Sequence, residues 1–117
     1  MVKKLNEKGY VNISSDVFTA LTSDVATNCF GVKGMAVRSV TDGLVHLLKS
    51  EFMGKGVHIT YNDDSTISIT LHIAVDQGVN IPVLCQSIKD EVSYKVTKAT
   101  GVKVKQIDIY VESMLLG

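Results

Sequence analysis

The chain of 117 residues has no tryptophan, a single proline and no net charge, twelve Lys plus Arg balancing twelve Asp plus Glu. Each shortage closes off a class of function. With charges cancelling, no global field draws the chain to nucleic acid or to anionic lipid. No apolar run approaches the roughly 18 residues that a membrane span needs, and Met1–Gly9 is too polar for a secretory leader. The two cysteines, Cys29 and Cys85, each fall on the predicted apolar face of a helix. They read as buried small hydrophobes in a reducing compartment rather than as a disulfide. The expected location is the cytoplasm. What remains is 45% hydrophobic and 21% charged, the make-up of an ordinary globule. Its length suits one domain that buries roughly two-thirds of the surface of the unfolded chain.

The stretch from Gly78 to Val111 organises the rest. Ile81, Leu84, Cys85, Ile88, Val92, Val96 and Ala99 recur three or four residues apart, which makes one apolar helix face of about five turns. Asn80 offers an N-cap oxygen, Pro82 suits a first turn, and Gly101 suits the residue after the end. Lys95 and Lys98 complement the dipole near the C-terminus. Beyond Gly101 the period changes to two, through Val102 and Val104 and then Ile107, Ile109 and Val111. The chain must therefore return as a strand. Its apolar parity changes between Val104 and Ile107, and a bulge near Lys105-Gln106 repairs it.

Upstream, residues 1–8 are polar and read as a flexible tail, with 9–117 as the single domain. Tyr10–Ile13 reads as a short strand. Ser14, Ser15 and Asp16 signal a helix start, and Val17, Phe18, Leu21, Val25, Ala26 and Cys29 form its stripe. Gly31 and Gly34 forbid its continuation. Met35–Val40 is a possible strand or extended turn, and Thr41–Phe52 reads as a shorter helix carrying His46.

Val57–Tyr61 and Ile67–Val75 alternate cleanly around Asn62-Asp63-Asp64-Ser65, the pattern of a hairpin. Apolar must face apolar, so Tyr61 pairs with Ser65 or Ile67 across a loop of three or five residues, and five keeps Tyr61 beside Ile67. One face then carries Val57, Ile59, Tyr61, Ile67, Ile69, Leu71, Ile73 and Val75. The other carries His58, Thr60, Ser68, Thr70, His72 and Ala74, polar enough to meet water. A sheet with one wet face takes helices on one side only. The expected fold is α+β: a two-layer sandwich with a small, mainly antiparallel sheet.

No catalytic pattern stands out. Neither cysteine has a histidine near it in sequence, no serine sits in a glycine-flanked elbow, and Asp63-Asp64 suits turn chemistry. No enzyme activity and no cofactor are expected. His58 and His72 share the wet face about one diagonal apart, but two imidazoles without a carboxylate or thiolate make a poor metal site. Gly31-Val32-Lys33-Gly34 is a G-x-x-G with a lysine inside, as in the phosphate-clamping loop of KH nucleic-acid modules. Such a loop runs directly into a helix, whereas Met35-Ala36-Val37-Arg38 reads as extended. Phosphate contact through Gly31, Lys33 and Gly34 is the alternative to a helix end followed by close backbone packing.

Several segments occur in a recognisable order: Gly9-Tyr10-Val11-Asn12-Ile13-Ser14, Gly31–Ala36, Lys55-Gly56-Val57, the strand Ile67–Val75, Gly78–Pro82, Thr100-Gly101-Val102 and Ile107–Val111. Together they make the chain resemble the alkaline shock protein family of bacterial envelope-stress proteins, found mainly in Gram-positive organisms. The resemblance implies a non-enzymatic cytoplasmic protein of envelope homeostasis. It implies self-association and a peripheral place at the membrane, held there by a small membrane-anchored partner. It supplies no catalytic or metal residues. The candidate interaction surface is the wet face, His58, Thr60, Ser68, Thr70 and His72, with the apolar stub Met114, Leu115 and Leu116.

Overall fold

Strand β6, Ile67–Val75, is the axis of the molecule: three other strands hydrogen-bond to it. The computed structural model describes residues 2–6, 8–29, 31–38, 45–47 and 56–113. In chain order the other elements are β1 (Val2–Asn6), β2 (Gly9–Ile13), α1 (Ser15–Asn28), β3 (Val32–Arg38), β4 (Val45–Leu47), β5 (Val57–Tyr61), α2 (Ile81–Thr100) and β7 (Val104–Ser113). One edge of β6 is shared end to end: β5 pairs with Ile67–Leu71 and β3 with Ile73–Val75, both antiparallel. The other edge belongs to β7, which runs parallel along all of β6. Strand β4 extends the sheet beyond β3, and β1 with β2 makes a separate antiparallel pair.

Of the two registers that parity allows, the hairpin takes the one with the five-residue loop, with Tyr61 opposite Ile67 and Ile59 opposite Ile69. Its turn is tied by side chains. Asn62 Nδ2 donates to Thr66 Oγ1 and Ser68 Oγ at 3.0 Å each, and Thr66 Oγ1 donates to Asp64 Oδ1 at 2.6 Å. Ser65 takes the left-handed conformation, φ 67°. On β7 the register slips between Val104 and Gln106, so Lys105 is the extra residue of the anticipated bulge.

Helix α2 begins and ends where its capping residues stand. The Asn80 side chain accepts from the Val83 N–H at 3.2 Å, and Gly101, at φ +75°, donates to the Thr97 carbonyl at 2.7 Å. Thr97 Oγ1 also donates to the Val102 carbonyl at 3.0 Å, holding the turn into β7. Both helices cover the same side of the sheet. Phe18, Val25 and Ala26 of α1 join Leu84, Ile88, Val92 and Val96 of α2 over Ile67, Ile69, Leu71 and Ile73. Each of these side chains larger than alanine, taken fully from water, contributes about 1.5–3 kcal/mol to folding. The result is the two-layer α+β arrangement.

Four expectations need correction. The polar stretch 1–8 includes strand β1, because Val2–Asn6 pairs backbone to backbone with Gly9–Ile13, and a ladder bond asks nothing of the side chains. The helix anticipated over Thr41–Phe52 contains β4 at Val45–Leu47, which places His46 on a strand; short apolar runs suit either state and pairing decides. The rest of that span lies outside the described residues. Helix α1 is rotated from its apolar stripe, burying Thr22 and Ser23 and leaving Val17 exposed. On α2 the face narrows to Leu84, Ile88, Val92 and Val96, while Ile81 in its first turn and Ala99 in its last are exposed.

Candidate interaction surface

The side of the sheet away from the helices is built from the alternate residues of β5, β6 and β7. Strand pairing sets them in rows: Thr60–Ser68–Gln106, then His58–Thr70–Asp108, then His72–Tyr110, then Ala74–Glu112. His58 is thus one diagonal step from His72, and their rings meet edge to face with centroids 6.0 Å apart. His72 in turn stacks on Tyr110, at 4.9 Å between centroids and 12° between planes. A run of three rings crosses three strands. It is open to contact: Tyr110 is 54% exposed, His58 and Thr60 are exposed, and Ser68, Thr70 and His72 are half-buried. Gln106 Nε2 donates to both oxygens of Asp108 at 3.0 and 2.9 Å.

One residue of this face departs from expectation. Ala74 is fully buried, as is Ala36 of β3. Ala74 has Gly34 opposite it on one side and Glu112 on the other, and its methyl group is too short to rise out of the strand rows. Tyr110, Gln106 and Asp108 were not among the candidates. The signal that could have found them is the parity of β7 beyond the bulge, combined with the choice of β6 as its parallel neighbour. Met114, Leu115 and Leu116 lie outside the described residues.

The other candidate chemistry sits elsewhere. Gly31-Val32-Lys33-Gly34 opens β3, and a strand follows it. Gly31 has φ +97°, and a Cβ there would lie 2.8 Å from Val79 Cγ2, so this position needs glycine for backbone shape and close packing. The Gly31 carbonyl accepts from the Asp76 N–H at 2.9 Å, and Lys33 Nζ lies 3.9 Å from Asp76 Oδ1. Nearby, a groove of about 490 Å³ runs between the end of α1 and the start of α2, lined by Cys29, Gly31, Val79, Val83 and Leu84 among others. Burial pushes the Cys29 thiol up, and the Glu91 carboxylate adds to the effect. Burial raises Cys85 as well, against the pull of Lys89. Neither thiol is activated as a nucleophile. Among the described residues no three His, Cys, Asp or Glu side chains gather as a metal site.

Comparison with known proteins gives a consistent outline. The model of the alkaline shock protein 23 family, described by its cell envelope-related function, matches residues 3–116. YloU of Bacillus subtilis (strain 168) is 29% identical over 107 residues, covering 91% of this chain and 88% of that one. Spy1614 of Streptococcus pyogenes serotype M6 is 30% identical over 116 residues, covering 97% and 95%. Among solved structures, a MamM CTD variant superposes with a TM-score of 0.58 at 13% identity, over 87% of this chain and 100% of that one. At such low identity the likeness is one of fold.

Proposed function

The chain belongs to the alkaline shock protein 23 family, with its cell envelope-related function, and from that premise we propose that it is a non-enzymatic scaffold which self-associates and docks a membrane-anchored partner. The observation that carries the reading is the uncovered sheet face with its His58–His72–Tyr110 run. Rings of this kind supply contact area at low cost in side-chain entropy. The polar residues around them, Thr60, Ser68, Thr70 and Gln106, are uncharged, and the one carboxylate in their midst, Asp108, already accepts from Gln106. Among the described residues no helix is long and apolar enough to cross a membrane. In this reading the protein works in the cytoplasm at the inner face of the cell membrane, and a small protein anchored in that membrane holds it there.

The test is affinity capture of the full chain from its native cells, with membrane and soluble fractions assayed separately, beside Thr70→Lys. Thr70 lies at the middle of the face, and a lysine there leaves the core untouched. Recovery of a membrane protein by the wild type, and its loss in Thr70→Lys, supports the reading. Co-purified RNA whose salt-sensitive binding vanishes in Lys33→Glu would replace it with phosphate recognition by the Gly31–Gly34 loop.

A further inference from the structure

Strand β7 runs for ten residues, and among the described residues it pairs with β6 alone. No described strand lies along its outer edge, and an open strand edge is the usual template for a strand from another chain. Protection along that edge is uneven. The bulge at Lys105, with Lys103 beside it, twists and charges the beginning of the strand. From Gln106 to Ser113 there is no lysine, proline or glycine and no further bulge. The other outer strands are shorter, five residues in β5 and three in β4, and short edges are themselves a guard.

We propose that a second copy of this chain joins along β7, the two β7 strands running antiparallel about a twofold axis at Ile109. The inference rests on the self-association in the preceding reading and names its surface and register. Charge decides the register. Even-numbered residues of β7 lie on the open face and odd-numbered ones toward the helices, so any pairing must set even against even. An axis at Asp108 opposes that carboxylate to itself, and an axis at Tyr110 opposes Asp108 to Glu112. An axis at Ile107 draws the Lys105 bulge into the ladder, and one at Val111 leaves only Ile109–Ser113 paired. The axis at Ile109 avoids all of these faults. It sets Gln106 against Glu112 and Asp108 against Tyr110, so that no two carboxylates stand directly opposed, with Ile107 against Val111 on the helix side. The pairing joins two sheets into one and places the two open faces side by side, each with its His58–His72–Tyr110 run.

Cysteine scanning tests the register in the full chain carrying Cys29→Ser and Cys85→Ser. Directly opposed residues of antiparallel strands have Cα atoms about 4.5–5.5 Å apart, within the roughly 4.4–6.8 Å that a disulfide spans. Ile109→Cys should cross-link to itself under mild oxidation. Asp108→Cys and Tyr110→Cys should each do so poorly alone yet readily when mixed. Sedimentation supplies an independent arm, with urea denaturation confirming that each variant folds. Tyr110→Asp sets a carboxylate against Asp108 twice per dimer and should weaken association at least about tenfold, since like charges directly opposed are destabilising. Adding Asp108→Lys to that variant should restore it. An oligomer that cross-links through Thr60→Cys on β5 and not through Ile109→Cys would overturn the β7 pairing and leave self-association standing. A strictly monomeric chain at tens of micromolar would overturn both.

Discussion

Two neighbours on β6, Ile69 and Thr70, show how differently the two sides of one sheet are used. Ile69 is 1% exposed and lies under the helices among Ile67, Leu71 and Ile73. Thr70, one residue on, sits half-buried between His58 and Asp108, with no helix over it among the described residues. The backbone conformation is the same at both. The inner side stabilises the fold, and the outer side carries polar and aromatic groups that the core does not need. The contacts proposed above thus rest on residues whose removal costs the fold little.

Substitutions that treat the two sides alike should give opposite results. Ile69→Ala should destabilise the protein by about 2–5 kcal/mol, and so should Ile88→Ala on the helix facing it, the usual range for emptying a core site. Thr70→Ala should stay within about 0.5 kcal/mol of the wild type. Urea denaturation gives all three, and a loss below half a kcal/mol at Ile88 would mean that α2 presents another face.

A smaller effect, of the opposite sign, is expected inside the covered layer. Thr22 is fully buried, and its Oγ1 has no hydrogen-bond partner among the described residues. An unsatisfied hydroxyl costs on the order of 1–3 kcal/mol, and valine has the same shape without it. Thr22→Val should therefore raise stability by about 1 kcal/mol. A loss in the same denaturation assay would show that the hydroxyl is satisfied after all.

The weakest effect belongs to the turn that sets the register on which both sides depend. Asp64 is held below the usual carboxylate range, first by the Thr66 hydroxyl, with help from the Thr66 N–H and the Lys105 ammonium. A depressed folded pKa stabilises at pH above the unfolded value of about 3.9, and the gain disappears as pH falls through the folded value. Between pH 5 and pH 2.5 the wild type should thus lose slightly more stability than Asp64→Asn. Equal losses would remove Asp64 from the account of the turn.

Much of the covered layer was legible because its signals are local. Asn80, Pro82 and Gly101 mark the ends of α2 within a residue or two. Parity narrowed the partner of Tyr61 to Ser65 or Ile67, and the bulge at Lys105 follows from a change of parity inside one strand. The misreadings fall where local signals are silent. Val45–Leu47 is too short for periodicity to separate helix from strand. Strand β1 is polar, and its partner β2 lends it order. Thr22 and Ser23 are buried because α1 turns to meet α2 and β5, overriding its own apolar stripe. The candidate face was half legible: His58, Thr60, Ser68, Thr70 and His72 came from the hairpin alone, while Tyr110 and Asp108 needed β7 laid beside it.

By itself the sequence determined which residues of each strand share a side, where α2 begins and ends, and that the hairpin turn holds an odd number of residues. Those properties are set by the two-residue period of a strand, by capping hydrogen bonds and by turn chemistry, all of which act within a few residues. Only the tertiary structure decided which strands lie next to one another. Strand-to-strand hydrogen bonds join backbone groups that every residue carries, so a strand's sequence does not name its neighbour. The length of α2 and the burial of Leu84, Ile88, Val92 and Val96 over β6 bring β7 back parallel to that strand, and with it Tyr110 onto the ring of His72.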